Sequence, residues 1–243
     1  MSNSFFRFKQ FIIHQDKCAM KVTTDASLFG AWVAGNIRSS DLKAVDALDI
    51  GCGTGLLSLM LAQKCDVNID AVEIDEETSL QAIENAEACS FKNAINIINA
   101  DMRDYNAEKK YDVIISNPPF YENELKSDSV TKNTAHHSSN LSLEELLTAI
   151  KKNLSEDGKF FLLFPFKRES EVRMLVRASG MQITMIALVR QSVNHDYFRI
   201  MVMGKKSSEE PAEIVFDEIS ICDERQQYTE EFVELLEDYY LYL

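Results

Sequence analysis

The feature that most constrains this chain is a set of alternating glycines placed directly after a short apolar run. Ala44–Ile50 ends with Asp49 beside Gly51-Cys52-Gly53-Thr54-Gly55, and Leu56–Ala62 continues as a nearly all-apolar stretch of helical length. A strand that turns through such a loop straight into a helix is a cofactor-binding turn. Glycine lets the backbone approach a ligand without Cβ interference and permits the tight reversal. The spacing is Gly-x-Gly-x-Gly, which differs from the Gly-x-Gly-x-x-Gly of dinucleotide folds. An acid just before the glycines suits a cationic amino group better than a phosphate.

The rest of the chain repeats this alternation of apolar runs and longer amphipathic stretches, the pattern of βαβ units around a parallel sheet. Ile69–Glu73, Ile95–Asn99, Tyr111–Ser116 and Lys159–Phe166 read as strands, and Glu76–Ser90 and Arg168–Ser179 as helices. A helix over Leu143–Leu154 is marked by a capping box, Ser142 with Glu145, and by one apolar face, Leu143, Leu146, Leu147, Ile150 and Leu154. Met181–Arg190 and Tyr197–Met203 read as an antiparallel pair closing the sheet. Phe232, Leu235, Leu236, Tyr239 and Tyr240 mark a last amphipathic helix with its acids outward. With no repeat, linker or low-complexity tract, residues 1–243 read as one domain. Residues 1–43 form a basic, aromatic N-terminal extension, and 207–243 an acidic C-terminal segment ending in a helix.

The chain has 243 residues and a net charge of −14, which taken whole argues against a nucleic-acid partner. Its distribution is uneven: residues 207–243 hold twelve acids and one base, whereas 1–43 hold six bases and three acids. A mildly basic start carrying Phe5, Phe6, Phe8 and Phe11 is a pointer to a polyanion. No apolar run approaches the roughly 18 residues that span a bilayer, and the start lacks the apolar stretch of an export signal. Cys18, Cys52, Cys65, Cys89 and Cys222 are scattered without a Cys-x-x-Cys pair, so they read as reduced thiols of a cytoplasmic protein.

Asp49-Ile50-Gly51-Cys52-Gly53-Thr54-Gly55 resembles motif I of the class I S-adenosylmethionine-dependent methyltransferases. The resemblance implies a Rossmann-like α/β fold: a mostly parallel seven-stranded sheet with an antiparallel last strand and helices on both faces. It implies S-adenosyl-L-methionine as cofactor, held by Asp49, Gly51, Gly53 and Gly55. Glu73, at the tip of the second strand, is expected to accept from both ribose hydroxyls, and Asp101 from the adenine amino group with Met102 beside it. Asp75 reads equally well as a helix N-terminus. Asn117-Pro118-Pro119-Phe120 follows the fourth strand, where open α/β sheets carry their chemistry. It resembles motif IV of N-methyltransferases acting on adenine, guanine or glutamine amide nitrogens. The Asn117 amide oxygen and the Pro118 carbonyl can each accept one hydrogen of a planar amino group, Pro119 stiffens the turn, and Phe120 stacks on the base.

The flanks narrow the target. Phe8-Lys9-Gln10-Phe11, the block from His14 to Asp25, Gly30-Ala31-Trp32 and Gln227-Tyr228-Thr229 resemble the bacterial tRNA1(Val) adenine-37 N6-methyltransferases over nearly the whole chain. This implies methyl transfer to N6 of an anticodon-loop adenine, with tRNA as partner; a monomeric enzyme is expected, without a membrane span, and without a metal because no further ligands stand near the paired histidines His136 and His137. It also implies that Lys21, Thr24 and Asp25 lie over the methionine end of the cofactor. The chain departs from the pattern at Phe120, where many relatives have Tyr, and at Cys52, where small residues are usual. Glu122–Asn140, with Lys126, Lys132, His136 and His137, is expected to close over a flipped adenine. Lys9, Lys17 and Lys21, together with Lys167, Arg168, Arg173 and Arg177, are candidate phosphate contacts. The alternatives are the same chemistry on an rRNA guanine or a protein glutamine, and a non-catalytic cofactor-binding adaptor.

Overall fold

The computed structural model describes residues 3–18, 20–39, 45–91, 94–119, 141–206 and 213–243. Phe120 and the segment 122–140 therefore lie outside the described residues. Two short strands, β1 (Phe5–Arg7) and β2 (Ile12–His14), form an antiparallel hairpin ahead of α1 (Thr24–Arg38). There follow β3 (Val45–Ile50), α2 (Leu56–Lys64), β4 (Val67–Glu73), α3 (Glu76–Glu87), β5 (Ile95–Asn99) and β6 (Tyr111–Ser116). After residue 141 come α4 (Leu143–Asn153), β7 (Leu154–Pro165), a 3-10 turn (Phe166–Arg168), α5 (Glu169–Ala178) and β8 (Met181–Ser192). The described chain ends with β9 (Tyr197–Lys206), β10 (Val215–Cys222) and α6 (Glu230–Leu236).

The strands assemble in the order β10-β8-β9-β7-β6-β3-β4-β5. Neighbours from β7 to β5 run parallel, and β9 lies antiparallel between β7 and β8, so the doubly wound sheet and its antiparallel pair are both present. The sheet has one strand more than the seven expected. β10 joins the edge in parallel register with β8, inside the segment that the sequence marked only for a terminal helix. Its first half, Val215–Glu218, is exposed, and only Ile219, Ser220, Ile221 and Cys222 are buried. Pairing with β8, more than any apolar pattern, makes it a strand.

Alternation along the central strands explains why they read as continuous apolar runs. Phe161 and Leu163 of β7, like Ala47 of β3 and Val113 and Ile115 of β6, face one core with α1, α2 and α6. Phe160, Leu162 and Phe164, with Leu48, Ile50 and Ile114, face a second core with α4 and α5. Both sheet faces are covered, as parallel sheets require. Helix α2 packs on the sheet and against α1, with Leu56, Leu57, Leu59, Met60 and Leu61 all buried, and Trp32 of α1 itself meets Phe161 of β7 at 5.7 Å between ring centroids. The capping box of α4 forms as read: the Glu145 N–H donates to Ser142 Oγ at 3.2 Å, and the Ser142 N–H to Glu145 Oε2 at 2.7 Å.

The N-terminal hairpin docks on the C-terminal turn. The Lys9 N–H donates to the Tyr239 carbonyl at 2.8 Å, Lys9 Nζ reaches the Glu237 carbonyl, and Phe6 and Phe8 pack 5.7 and 5.8 Å from the Tyr240 ring. The aromatic stripe does face inward, with Phe232, Leu236 and Tyr239 buried. Tyr239 and Tyr240, however, sit in the turn after α6, where the Tyr239 hydroxyl donates to the Met60 carbonyl at 3.0 Å. No helix among the described residues is long and apolar enough to cross a membrane.

Candidate active site

The glycine loop leaves β3 at the carboxyl edge of the sheet. Gly51, Gly53 and Gly55 have φ of 70°, 55° and 82°, the left-handed region that side chains with a Cβ rarely adopt. The Gly51 and Cys52 N–H groups donate to the Val72 carbonyl at 2.8 and 3.1 Å, which binds the loop to the tip of β4. Gly55 closes the turn as the N-cap residue just before α2. Glu73 adds a clamp: its Oε2 accepts from the Gly53 N–H at 2.9 Å and its Oε1 from the Asp75 N–H at 3.0 Å. Each carboxylate oxygen therefore uses one lone pair on backbone and keeps one for a ligand.

Asp49 sits beneath this loop. It is fully buried, its Oδ2 accepts from Ser58 Oγ at 2.7 Å, and its Oδ1 has no partner among the described residues. Burial pushes its carboxyl up to about 7; the nearby Glu73 charge adds to this and the Ser58 hydrogen bonds oppose it. Asp75 is the N-cap of α3, accepting from the Thr78 N–H at 2.8 Å, and that bond holds its carboxyl below the usual range.

Asp101 follows β5. Arg103 grips it, with Nε 2.9 Å from both carboxylate oxygens and a backbone N–H 2.9 Å from Oδ1, which keeps the carboxyl ionised and below its usual range. Asn117, Pro118 and Pro119 leave β6. The buried Ser116 hydroxyl, one residue earlier, donates to the Ile50 carbonyl at 2.7 Å and so ties the proline turn to the glycine loop.

These pieces surround one cavity of about 480 Å³. Gly51, Gly53, Glu73, Asp75, Asp101, Met102, Asn117, Pro118 and Pro119 all line it, alongside Ile50, Val72, Leu141 and Leu146. Lys21, Thr24 and Asp25, like Asp49 and Gly55, are not among the residues that line it. Thr24 begins α1 behind its N-cap Thr23, Asp25 is drawn to Arg199 at 2.6 Å, and Lys21 Nζ reaches the Gln15 carbonyl. The same segment supplies Lys17, Cys18 and Met20 to the wall instead. Gln15 shapes this stretch, accepting from the Val22 N–H at 2.7 Å. Ser58 and Ser116 stand outside every motif in the sequence, because small polar residues that act through buried bonds carry no spacing signal.

The expected phosphate contacts are largely engaged within the chain. Lys9 meets the Glu237 carbonyl, Lys17 pairs with Glu84 at 3.0 Å, Arg168 with Glu171 at 2.8 Å and Arg173 with Glu169 at 2.9 Å.

Comparison with known proteins fits this arrangement. Residues 36–172, which hold the glycine loop, Glu73, Asp101 and the Asn-Pro-Pro turn, match the methyltransferase small domain family. A protein of Dyadobacter fermentans named tRNA1(Val) (adenine(37)-N6)-methyltransferase is 40% identical over 242 residues, spanning 98% of both chains. The chain belongs to this family. A protein of Christiangramia forsetii with the same name is 38% identical over 248 residues and the full length of both chains. Among solved structures, a predicted O-methyltransferase of Agrobacterium tumefaciens superimposes with a TM-score of 0.65 at 16% identity, over 87% of this chain and 95% of that one. At that identity the likeness bears on the fold alone.

Proposed function

We propose that this chain transfers a methyl group from S-adenosyl-L-methionine to N6 of adenine 37 in the anticodon loop of tRNA1(Val), as a cytoplasmic, monomeric enzyme. The observation that carries the reading is that the glycine loop and the Asn117-Pro118-Pro119 turn open on one cavity, in a chain of this family.

The residues present fit the cofactor. The free lone pairs of Glu73 suit two ribose hydroxyls, and the ionised Asp101 suits an adenine amino group. Asp49, with an unpartnered oxygen under the loop, supplies negative charge for a cationic amino end. Gly51 and Gly53 present bare backbone, and no heavy atom stands within 4 Å of where their Cβ atoms would be. When bound, S-adenosyl-L-methionine supplies an electrophilic methyl group on sulfur. The protein's part is positioning: the Asn117 amide oxygen and the Pro118 carbonyl accept the two amino hydrogens and turn the nitrogen lone pair toward the donor. Alignment of this kind can supply much of the rate without a strong base.

The test is methylation of an unmodified tRNA(Val) transcript. One methyl group per molecule, recovered as N6-methyladenosine at position 37, is expected, and none when guanine replaces that adenine. Asn117→Ala is expected to cut turnover on the order of 10²-fold or more while cofactor binding persists. Preferred labelling of an rRNA guanine or a protein glutamine would overturn the target, and full turnover by the Asn117 variant would overturn the site.

A further inference from the structure

Every aromatic residue of β7 is buried: Phe160, Phe161 and Phe164 are at most 1% exposed. The next aromatic, Phe166, directly after the strand, is 37% exposed. A single exposed phenyl ring is unremarkable by itself. This one is paired, its centroid lying 5.5 Å from that of Tyr197 with the rings inclined at 52°. Tyr197 is in turn backed by Arg190, whose guanidinium lies 5.6 Å from the ring centre. Arg190 is fixed from behind, with Nε donating to Ser220 Oγ at 2.7 Å and an ion pair to Glu218 at 3.6 Å. The result is a held pair of rings with a cation behind it, at the surface, in a chain whose other large aromatics mostly serve the core.

Strand register places this pair at the same edge of the sheet as the candidate active site. Ser116 of β6 lies opposite Leu162 of β7, and Pro165, three residues on, lies opposite Arg199 of β9. Phe166 and Tyr197 therefore stand at the same carboxyl rim from which Asn117-Pro118-Pro119 emerges. β7 lies next to β6 and β9 next to β7, so across the sheet their backbones are about 5 and 10 Å from β6. Neither ring lines the cavity itself.

We propose that Phe166 and Tyr197 form a stacking step for a nucleotide flanking the methylated adenine, so that the enzyme reads a single-stranded RNA loop. The inference rests on the function proposed above and adds the surface that receives the neighbours of the target base. Turning one base out of a loop exposes the faces of the bases next to it. Unstacked bases in single-stranded RNA are held by aromatic side chains and guanidinium planes. Rings already fixed by Arg190 and Glu218 lose little freedom on binding. A stacking surface also suits a chain of net charge −14, because stacking does not depend on a broad positive field.

The experiment uses the full chain, an anticodon stem-loop RNA, and the same RNA with 2-aminopurine at either position beside the target. Phe166→Ala and Tyr197→Ala are each expected to lower kcat/KM for RNA about tenfold or more, the scale of one lost base–aromatic stack. Cofactor Kd and the salt dependence of RNA binding should hold, and Phe166→Trp should restore the activity. Quenching of 2-aminopurine at one flanking position should appear with the wild-type chain and fade with Phe166→Ala. Wild-type methylation of the stem-loop first decides the proposed function. With that activity present, unchanged kcat/KM and quenching in both alanine variants overturn the stacking step. It is also overturned if the variants weaken cofactor binding equally, or if their only effect is lost self-association in sedimentation, which would assign the rings to a second copy.

Discussion

Replacing Asp49 by Asn isolates the cost of holding a carboxyl beneath the glycine loop. The side chain is fully buried, one oxygen bonds to Ser58, and the other is unpartnered among the described residues. Its carboxyl titrates at about 7 in the folded chain against an ordinary 3.8. Between those two values the folded state keeps a proton that the unfolded state has already lost. Stability from this group is therefore full below 3.8, falls as pH rises through the window, and levels off above about 7. The gap corresponds to a loss on the order of 4 kcal/mol at the alkaline end. Asn keeps an oxygen for the Ser58 hydroxyl and cannot titrate. Urea unfolding of both proteins at pH about 4.5, 6 and 8 cancels the other carboxyls, because they are common to both chains. The variant should gain on the wild type steadily with pH, by up to a few kcal/mol. A difference that stays constant across the range would refute the reasoning. The same carboxyl predicts a proton signature for the cofactor. If the cationic amino end lies near Asp49, binding at pH about 6 lowers the carboxyl pKa and releases protons, measurable by calorimetry in buffers of different ionisation enthalpy. Asp49→Asn should abolish that release.

Other expectations follow from single contacts. Glu73→Gln keeps one acceptor but turns an amide NH2 toward a backbone N–H, so cofactor Kd should rise about tenfold, as when a charged hydrogen bond is lost; an unchanged isotherm would remove Glu73 from the clamp. At Gly204 an added Cβ would fall 2.2 Å from the Phe160 ring and 2.6 Å from the Gln182 carbonyl. Gly204→Ala should therefore cost roughly 1–3 kcal/mol or more, read as a fall in Tm of several degrees. Tyr239→Phe removes the buried hydroxyl that donates to the Met60 carbonyl and should cost about 1 kcal/mol in urea unfolding with the m-value unchanged.

How legible the molecule is from its sequence varies with how each part is held. The central strands announce themselves because both faces are buried, which turns β3, β6 and β7 into unbroken apolar runs. Helix α4 is equally plain, since its cap and its face are local. Helix α1 is harder to read: Leu28, Phe29, Trp32 and Val33 are buried on several sides, so no amphipathic stripe survives. Strand β10 draws its identity from pairing with β8, and nothing in Val215–Glu218 signals that. In the site, residues with a fixed place in a spacing pattern, Gly51, Gly53, Glu73, Asp101 and Asn117, do gather around one cavity. The N-terminal contribution was legible as a segment but not as residues. Which side chains of 14–25 reach the cavity depends on Gln15, Arg199 and the start of α1, all of them long-range or capping effects. The basic residues at the start suggested an anion-binding face, yet Lys9, Lys17 and Lys21 each turn to a partner within the chain.

The docking of the hairpin on the turn after α6 has a kinetic consequence. Lys9 and Glu237 are 228 positions apart, and their contact anchors the segment that runs on to Lys17, Cys18 and Met20. Closing so long a loop is entropically costly and is repaid only after both partners are in place, so contacts of this order form late in folding. The parallel sheet can assemble around β3 and β6 before that closure, giving the floor of the cavity without its outer wall. Cofactor affinity should thus recover after most of the secondary structure during refolding. A ligand gripped by both floor and wall would then act as the brace that keeps the two ends of the chain together.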